Sequence, residues 1–230
     1  MTVPAIIAVS ASESTEACVE TARVRIHAAG YEIRTFEADC RGGPALEEFV
    51  RAGQAAGVLD LTTAELAVEL LHFAARGSNR LTAASLAGVS QVISLGGLDA
   101  VAYGPMETVP TRFRSRRLHH TGTAVPMMRT TPEENDRLGQ EIAMKACAAR
   151  GPTAIVVPLR GLSTLDFDGG SHWWPEADAA LFQSLRNWVY GVELIELDLH
   201  VNDPEFGRAC AETLLRLLRV TNVSQSTRGS

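Results

Sequence analysis

The sequence lacks the short motifs that mark the most familiar catalytic sites. Its 230 residues contain no GxSxG elbow, no HExxH helix, no Walker loop and no CxxC pair. These absences argue against a conventional serine-hydrolase elbow and against a helix-borne zinc site. No GxGxxG loop is present either, so the chain carries no motif for a redox cofactor.

Positive charge and long apolar runs are also scarce. Lys and Arg number 21 against 27 Asp and Glu, which gives a formal charge of −6. The one local exception is a group of four arginines, Arg112, Arg114, Arg116 and Arg117. An acidic chain of this kind argues against sequence-general nucleic-acid binding. No apolar run approaches the roughly 20 residues that span a bilayer, and the first residues show no signal-peptide pattern. We therefore expect a cytoplasmic protein that binds neither nucleic acid nor membrane.

The cysteines are few and far apart. Cys18, Cys40, Cys147 and Cys210 fit neither a zinc site nor a disulfide framework. Apolar residues make up 46% of the chain, which is enough for a full core. We predict one domain over residues 1–224, followed at 225–230 by a flexible tail or a cloning remnant.

Strand-like and helix-like patterns alternate along the chain. Short apolar runs predict strands at 5–9, 57–61, 89–94, 154–158 and 192–197, and an alternating apolar and polar pattern predicts a half-buried strand at 32–38. Amphipathic stretches predict helices at 15–29, 45–56, 62–71, 81–87, 131–149, 175–190 and 204–219. Residues 95–130 show no clear period, and we expect one strand within 123–128. The alternation predicts a three-layer α/β sandwich with a mostly parallel, Rossmann-like sheet.

Ligands of such sheets bind outside the carboxyl ends of the strands. The segments expected there are 10–14, 60–63, 94–99, 160–163 and 200–203. We therefore sought candidate site residues among these segments.

Four motifs in order resemble the Tm-1-like proteins, also called the UPF0261 family. They are GVLDLTTAELA at 57–67, RTTPEE at 129–134, VPLRGL at 157–162 and NDPEF at 202–206. The resemblance covers roughly residues 4–218 and only the carboxy-terminal half of the family's proteins. It implies a Rossmann-like lobe and, because ATP binding is attributed to the family, a nucleotide ligand. Plant members carry a further TIM-barrel domain and are linked to blocking a viral replication protein.

This chain departs from the family pattern in three respects. The amino-terminal half that carries the glycine-rich loop is absent. The family's SPGALD turn is SLGGLD at 94–99, and its HNP segment is replaced by TGT at 121–123. His119 and His120 stand two positions earlier than that segment.

Two arginines are candidates for holding an anion. Arg160 follows a strand and precedes Gly161, where the backbone can approach a ligand closely, and a guanidinium can bind a carboxylate or phosphate through two hydrogen bonds. The alternative is a salt bridge to a neighbouring carboxylate. Arg129 and Thr130 precede a predicted helix, whose N-terminus favours an anion. The alternative is that Thr131 caps this helix and Arg129 pairs with Glu133.

The third and fourth strands end in polar residues. Asp60 is followed by Thr62, and this pair could orient a histidine, hold a metal, bind sugar hydroxyls or simply cap the next helix. Ser94, Gly96 and Gly97 form a turn whose backbone N–H groups could stabilise an oxyanion or phosphate.

His200 is the histidine best placed for acid–base catalysis. It follows the last strand, and Asp198 lies two residues earlier on the same side of an extended chain. We expect Asp198 or Asp203 to orient the ring. The alternative is a structural histidine bonded to a backbone carbonyl.

These residues support two hypotheses. In the first, the protein is a hydrolase or lyase that acts on an acyl or carbon–carbon bond of a small carboxylated metabolite. Arg160 and Arg129 would then hold the anion, with His200 as the acid or base. In the second, it is an ATP- or nucleotide-binding module that acts through a partner.

The cofactor and the assembly stay open at this level. A metal would have to be gathered from separate loops, for example from Asp60, Glu107, His119, His120 and His200. We also expect a homo-oligomer, or a separate chain replacing the amino-terminal lobe, because an uncovered apolar face promotes association.

Overall fold

Nine strands and seven helices build the part of the chain that a computed structural model describes, residues 4–72, 79–119 and 126–226. The strands are β1 (Ile6–Ala11), β2 (Glu32–Glu37), β3 (Gly57–Thr62), β4 (Ser90–Gly96), β5 (Ala100–Ala102), β6 (Leu118–His119), β7 (Met127–Arg129), β8 (Thr153–Pro158) and β9 (Glu193–Leu197). The helices are α1 (Glu16–Ala28), α2 (Gly42–Arg51), α3 (Ala64–His72), α4 (Ala83–Ala87), α5 (Pro132–Cys147), α6 (Pro175–Trp188) and α7 (Pro204–Ser226).

Six strands form one parallel sheet in the order β2-β1-β3-β4-β8-β9. Helices α1 and α7 pack on one face, where Val9, Leu61 and Val92 contribute to the core. Helices α2 to α6 pack on the other face. The central strands are continuous buried runs because both of their faces are covered. The predicted three-layer sandwich with a mostly parallel sheet is confirmed.

Helix α5 begins where the sequence predicts, because its N-terminal cap forms at Thr131. The Thr131 hydroxyl accepts a hydrogen bond from the Glu134 N–H at 3.3 Å, and the Glu134 carboxylate accepts one from the Thr131 N–H at 2.8 Å. Pro132 occupies the first helical position. This reciprocal cap satisfies two N–H groups that the helix cannot bond internally.

Helices α2 and α7 have boundaries that differ from the sequence-based expectation. Helix α2 begins at Gly42 because Asp39 accepts hydrogen bonds from the Arg41 and Gly42 N–H groups at 2.9 and 2.7 Å. It ends at Arg51 because Gly53, at φ +69°, turns the chain before the expected stop at 57. Helix α7 continues to Ser226, beyond the predicted end at 219.

The aperiodic stretch after β4 contains a second, antiparallel sheet in the order β5-β7-β6. Its strands have only two or three residues, which is too short to show a period in the sequence. The strand expected within 123–128 is β7, at Met127–Arg129, and residues 120–125 lie outside the described part. Among the described residues, no helix is long and apolar enough to cross a membrane.

Candidate functional site

The sheet order places the topological switch point, where sheets of this kind open a crevice, between β1 and β3. These strands are neighbours, but β2 lies to one side of β1 and β4 to the other side of β3, so the chain's winding direction reverses there. Ligands of doubly wound sheets bind at the carboxyl ends of the strands at such a switch point. The segment Ser12–Thr15 leaves β1 at this edge, and Thr62 ends β3.

Four hydroxyl groups form a connected chain at this edge. The Ser14 and Ser12 hydroxyl oxygens are 2.8 Å apart, those of Ser12 and Thr15 are 3.4 Å apart, and those of Thr15 and Thr62 are 2.6 Å apart. Ser12 and Ser14 are half-buried, whereas Thr15 and Thr62 are buried. The chain therefore leads from the surface to the end of β3. We call these four residues the hydroxyl chain.

Two helices begin beside the hydroxyl chain, α1 at Glu16 and α3 at Ala64. The first N–H groups of a helix have no partner within it and favour an anion. Gly97 lies at the same edge at φ +76°, and a Cβ built there would lie 3.1 Å from Ala64 Cβ, 3.4 Å from Thr62 Cγ2 and 3.8 Å from Ser14 Oγ. The absence of a side chain at Gly97 therefore lets the turn after β4 pack closely against α3 and β3.

Segment 10–14 was expected at the sheet edge, but Ser12, Ser14 and Thr15 were not predicted as site residues. The signal that could have found them is a run of small hydroxyl residues, SASEST at 10–15, between the first strand and the first helix. Such a run combines side-chain hydroxyls with a helix N-terminus.

The glycine turn after β4 does not provide the expected oxyanion cradle. The Gly97 N–H donates to the Leu162 carbonyl at 2.9 Å, and the Leu98 N–H donates to the Leu95 carbonyl at 3.3 Å. A Cβ on Gly96 would overlap the Leu61 carbonyl oxygen, so this glycine allows close strand packing. Ser94 is buried, and its hydroxyl has no hydrogen-bond partner among the described residues.

Arg160 lies at the surface in a two-pronged ion pair. Its Nε and Nη2 donate to the two carboxylate oxygens of Asp198, both at 2.7 Å, and 63% of its side chain is exposed. The hydrogen bonds from Arg160 lower the pKa of Asp198. This is the salt-bridge alternative considered from the sequence. Gly161 turns the chain at φ +132°, where a Cβ would overlap the Asp166 carbonyl oxygen.

The expectation that an aspartate carboxylate orients the His200 ring is wrong. The ring Nε2 lies 3.0 Å from the Ser163 carbonyl and 3.1 Å from the Asp166 carbonyl, so it donates to both. The ring Nδ1 accepts from the Asn202 N–H at 3.1 Å. Asp198 binds Arg160 instead, and Asp203 accepts from the backbone N–H of His200 at 2.7 Å. Acid–base catalysis by His200 would require the ring to leave these backbone bonds.

Arg129 does not face a ligand but is buried, with 1% of its surface exposed. Its guanidinium donates to Asp178 at 2.5 Å, to the His172 carbonyl at 2.7 Å and to the Thr130 hydroxyl at 2.8 Å. The Thr130 hydroxyl donates to the Leu98 carbonyl at 3.0 Å. The expectation of a free anion anchor at these two residues is wrong, and so is the alternative pairing with Glu133.

Further buried charges surround Arg129 and were not singled out from the sequence. Asp99 accepts from the Ser163 hydroxyl at 2.8 Å and lies 3.1 Å from His172 Nδ1. Asp166 accepts from the Leu162 N–H at 3.0 Å. Burial, with Asp178 and Asp99 nearby, raises the pKa of Asp166 to about 7. We call Arg129, Asp99, Asp166, His172 and Asp178 the Arg129 cluster.

Asp60 belongs to a second buried cluster. Arg80 donates to Asp60 at 2.5 Å, to Glu47 at 3.0 Å and to Glu65 at 3.1 Å. Burial raises the pKa of Glu65 to about 7, although Arg80 opposes the shift. We call these four residues the Arg80 cluster. Asp60 therefore neither orients a histidine nor caps a helix, because its carboxylate holds a buried guanidinium.

A metal-binding arrangement does not emerge from the described residues, where no three His, Cys, Asp or Glu side chains are grouped to hold an ion. The His119 ring lies edge-on to the His172 ring at 6.2 Å between centroids. His120 lies outside the described residues.

Comparison with known proteins gives a consistent match along the chain. Residues 4–218 match the model of the uncharacterised protein family (UPF0261) C-terminal domain. A UPF0261 protein of Clostridium tetani is 41% identical over 82% of this chain and 48% of its own length. The ToMV resistance protein Tm-1(GCR237) of Solanum lycopersicum is 35% identical over 88% of this chain and 28% of its own length. The chain thus spans about half, or less, of these relatives.

Solved structures add only a distant likeness. A thioesterase domain from the curacin biosynthetic pathway aligns over 93% of this chain and 91% of its own, with 11% identity and a TM-score of 0.42. The pyrethroid hydrolase PytH aligns over 96% of this chain and 100% of its own, with 11% identity and a TM-score of 0.43. Likeness at this level carries no argument about chemistry.

Proposed function

This chain belongs to the UPF0261 family through its C-terminal domain, and we propose that the domain binds a small anionic metabolite in the crevice between β1 and β3. The anionic group would lie beside Ser14 and Gly97, at the N-termini of α1 and α3. Carboxylate and phosphate share the chemistry that this site recognises, which is a compact oxyanion.

The hydroxyl chain is the observation that carries this proposal. Its outer members, Ser12 and Ser14, can donate hydrogen bonds to a ligand while Thr15 and Thr62 hold them from below. The side-chain Nδ2 of Asn202 donates to the Ser14 carbonyl at 2.9 Å. The side-chain Oδ1 of Asn202 is buried without a hydrogen-bond partner among the described residues. A buried polar atom without a partner favours a ligand group or an ordered water.

The reaction class proposed from the sequence remains hydrolysis or lysis of an acyl or carbon–carbon bond. Substrate binding would come first, and the chemistry would follow at the same sheet edge. The second candidate, a nucleotide-binding module, fits the same site because a nucleotide phosphate also binds at a helix N-terminus at the switch point. Ligand preference separates the two candidates.

The test is a ligand panel measured by thermal shift and calorimetry. The panel contains inorganic sulfate, inorganic phosphate, ATP, pyruvate, succinate and acetyl phosphate. A preference for the carboxylates or the acyl phosphate supports the enzyme proposal, and a preference for ATP supports the nucleotide module. If no panel member binds at millimolar concentration, the proposed site is wrong.

A pair of variants ties binding to the hydroxyl chain. Ser14→Ala removes the outer hydroxyl, and we expect about a tenfold loss of affinity, the value of one hydrogen bond of about 1.4 kcal/mol. Thr21→Val is the matched control, because the Thr21 hydroxyl lies on α1 and bonds only the Ala17 carbonyl, at 3.0 Å. Equal affinity of the wild type and Ser14→Ala for the ligand would show that the ligand does not bind beside Ser14.

A further inference from the structure

The loop between β1 and α1 is held in place by two segments that lie far along the chain. The Ser14 carbonyl accepts hydrogen bonds from the Asn202 side-chain Nδ2 at 2.9 Å and from the Thr164 N–H at 3.2 Å. The Ser14 hydroxyl, on the same residue, is the outer end of the hydroxyl chain. The two bonds to the carbonyl therefore limit where the Ser14 hydroxyl can lie.

The His200 ring joins these two segments to each other. Its Nε2 donates to the Ser163 carbonyl at 3.0 Å, one residue before Thr164. Its Nδ1 accepts from the backbone N–H of Asn202 at 3.1 Å. One ring thus holds both the turn that carries Thr164 and the residue whose amide binds Ser14.

The side chain of Asn202 binds the crevice loop and not its own helix. Asn202 lies two residues before Pro204, the first residue of α7, in a region where asparagine often caps a helix. The first turn of α7 instead closes on the Asp203 carbonyl, which accepts from the Phe206 N–H at 2.9 Å. Among the described residues, the Asn202 amide makes its hydrogen bond only to Ser14. Replacing this side chain therefore tests the crevice loop without removing a cap from α7.

We propose that Asn202 is a positioning residue of the anion site, which holds the Ser14 hydroxyl in place for the ligand and is itself held by His200. The proposal rests on the proposed function, because the hydroxyl that is positioned is the one assigned to the ligand. Asn202 does not touch the ligand. A donor that is already ordered loses less conformational freedom when a ligand binds, so positioning raises affinity. Its loss should therefore weaken binding in a protein that stays folded.

Asn202→Leu tests this role through affinity. Leucine has the branched shape of asparagine but offers no donor to the Ser14 carbonyl, and it adds no charge beside the anion. We expect calorimetry with inorganic phosphate and with succinate to show about a tenfold loss of affinity, the equivalent of one hydrogen bond. Asn187→Leu is the matched control, because this exposed asparagine on α6 accepts a hydrogen bond from Gln183 at 2.9 Å. The control should keep the wild-type affinity.

A double variant separates positioning from a second, direct contact with the ligand. If Asn202 acts through the Ser14 hydroxyl, the variant that combines Ser14→Ala with Asn202→Leu should bind no more weakly than Ser14→Ala alone. Independent contributions would instead multiply to about a hundredfold loss, and that result would overturn the proposal. Wild-type affinity in Asn202→Leu would also contradict it. Asn202→Ala replaces the leucine variant if that variant does not fold.

Hydrogen exchange measures the loop without any ligand. In Asn202→Leu, peptides covering residues 12–16 should exchange about tenfold faster than in the wild type, because the Ser14 carbonyl loses one of its two bonds. Peptides covering β4 should keep the wild-type rate. Unchanged exchange at 12–16 would show that Asn202 does not position the loop. If neither probe binds the wild type while exchange at 12–16 accelerates in the variant, the proposed function fails and the positioning of Ser14 by Asn202 stands.

Discussion

Two arginines, Arg80 and Arg129, are each 1% exposed, and the fold neutralises them in different ways. Every donor of Arg80 that binds a side chain binds a carboxylate, one each from Glu47, Asp60 and Glu65. Arg129 has one close carboxylate, Asp178, and its other donors bind backbone carbonyls and a hydroxyl. The first cluster relies on three ion pairs, and the second relies on one close ion pair and neutral partners.

The comparison shows that one fold can neutralise a buried guanidinium either with several carboxylates or with one close carboxylate and neutral acceptors. Glu47 also accepts hydrogen bonds from the Leu81 and Ala83 N–H groups at 2.6 and 2.7 Å, so both of its carboxylate oxygens have donors. Burial raises the pKa of one carboxyl group in each cluster, Glu65 and Asp166, to about 7. The clusters therefore differ in how many carboxylates hold the arginine, and not in whether they respond to pH.

The largest expected effect comes from removing Arg80. Arg80→Met leaves three buried carboxylates without a cation, and we expect a loss of about 3–5 kcal/mol in the free energy of unfolding at pH 8. Urea unfolding followed by circular dichroism measures it. Arg25→Met, which breaks a partly exposed pair with Glu212, is the control and should lose less than about 1 kcal/mol. A loss of similar size in both variants would show that the Arg80 cluster is not a structural centre.

Removal of Arg129 should cost less, and its cost should depend on pH. Arg129→Met is expected to lose about 3 kcal/mol at pH 8. At pH 5.5 the loss should be smaller, because Asp166 and Asp178 can then take up protons instead of remaining as unpaired anions. The same unfolding experiment at both values decides the point. A pH-independent loss would contradict the raised pKa values of Asp166 and Asp178.

Asp166→Asn tests the Arg129 cluster through the free energy of unfolding. The folded protein keeps a proton on Asp166 up to a pKa of about 7, whereas the unfolded chain releases it near the ordinary value of 3.8. The free energy of unfolding of the wild type should therefore fall as pH rises through this window. The variant lacks this contribution, so between pH 4 and pH 7 it should gain at least about 1.4 kcal/mol relative to the wild type. Parallel stability profiles of the two proteins would contradict the raised pKa.

The smallest effect is expected at the surface pair. Arg160→Ala should leave the unfolding midpoint unchanged within error, because the guanidinium and Asp198 are both exposed and solvent screens them. If it also leaves the affinity for the ligand panel unchanged, Arg160 is not the anion anchor that the sequence suggested. A clear loss of affinity in a folded variant would restore that assignment.

The fold was predictable because buried parallel strands have apolar sequences. The central strands β3, β4 and β8 are such runs, the edge strand β2 shows an alternating pattern, and the Thr131 cap marks the start of α5. The short strands β5 to β7 could not be foreseen, because two or three residues carry no period. Their pairing depends on contacts between distant segments.

The site was only partly accessible from sequence for a related reason. The rule for sheet edges located Asp60, Thr62 and Gly97, but it says nothing about which side chains remain free after packing. Arg80 and Glu47 are 33 residues apart and meet only through the packing of α2 against the sheet. Asp166 gains its unusual proton affinity from burial, a property that no local pattern encodes.

The position of α7 in the chain determines when one part of the core can form during synthesis. It covers the face of the sheet that includes Leu59, Leu61 and Val92, yet it follows every strand of that sheet in the chain. The ribosome synthesises the chain from its amino-terminal end, so this apolar face is not fully covered until α7 has been synthesised. Nascent chains that stop before Pro204 would expose it, and we expect them to aggregate or to be held by chaperones until α7 emerges.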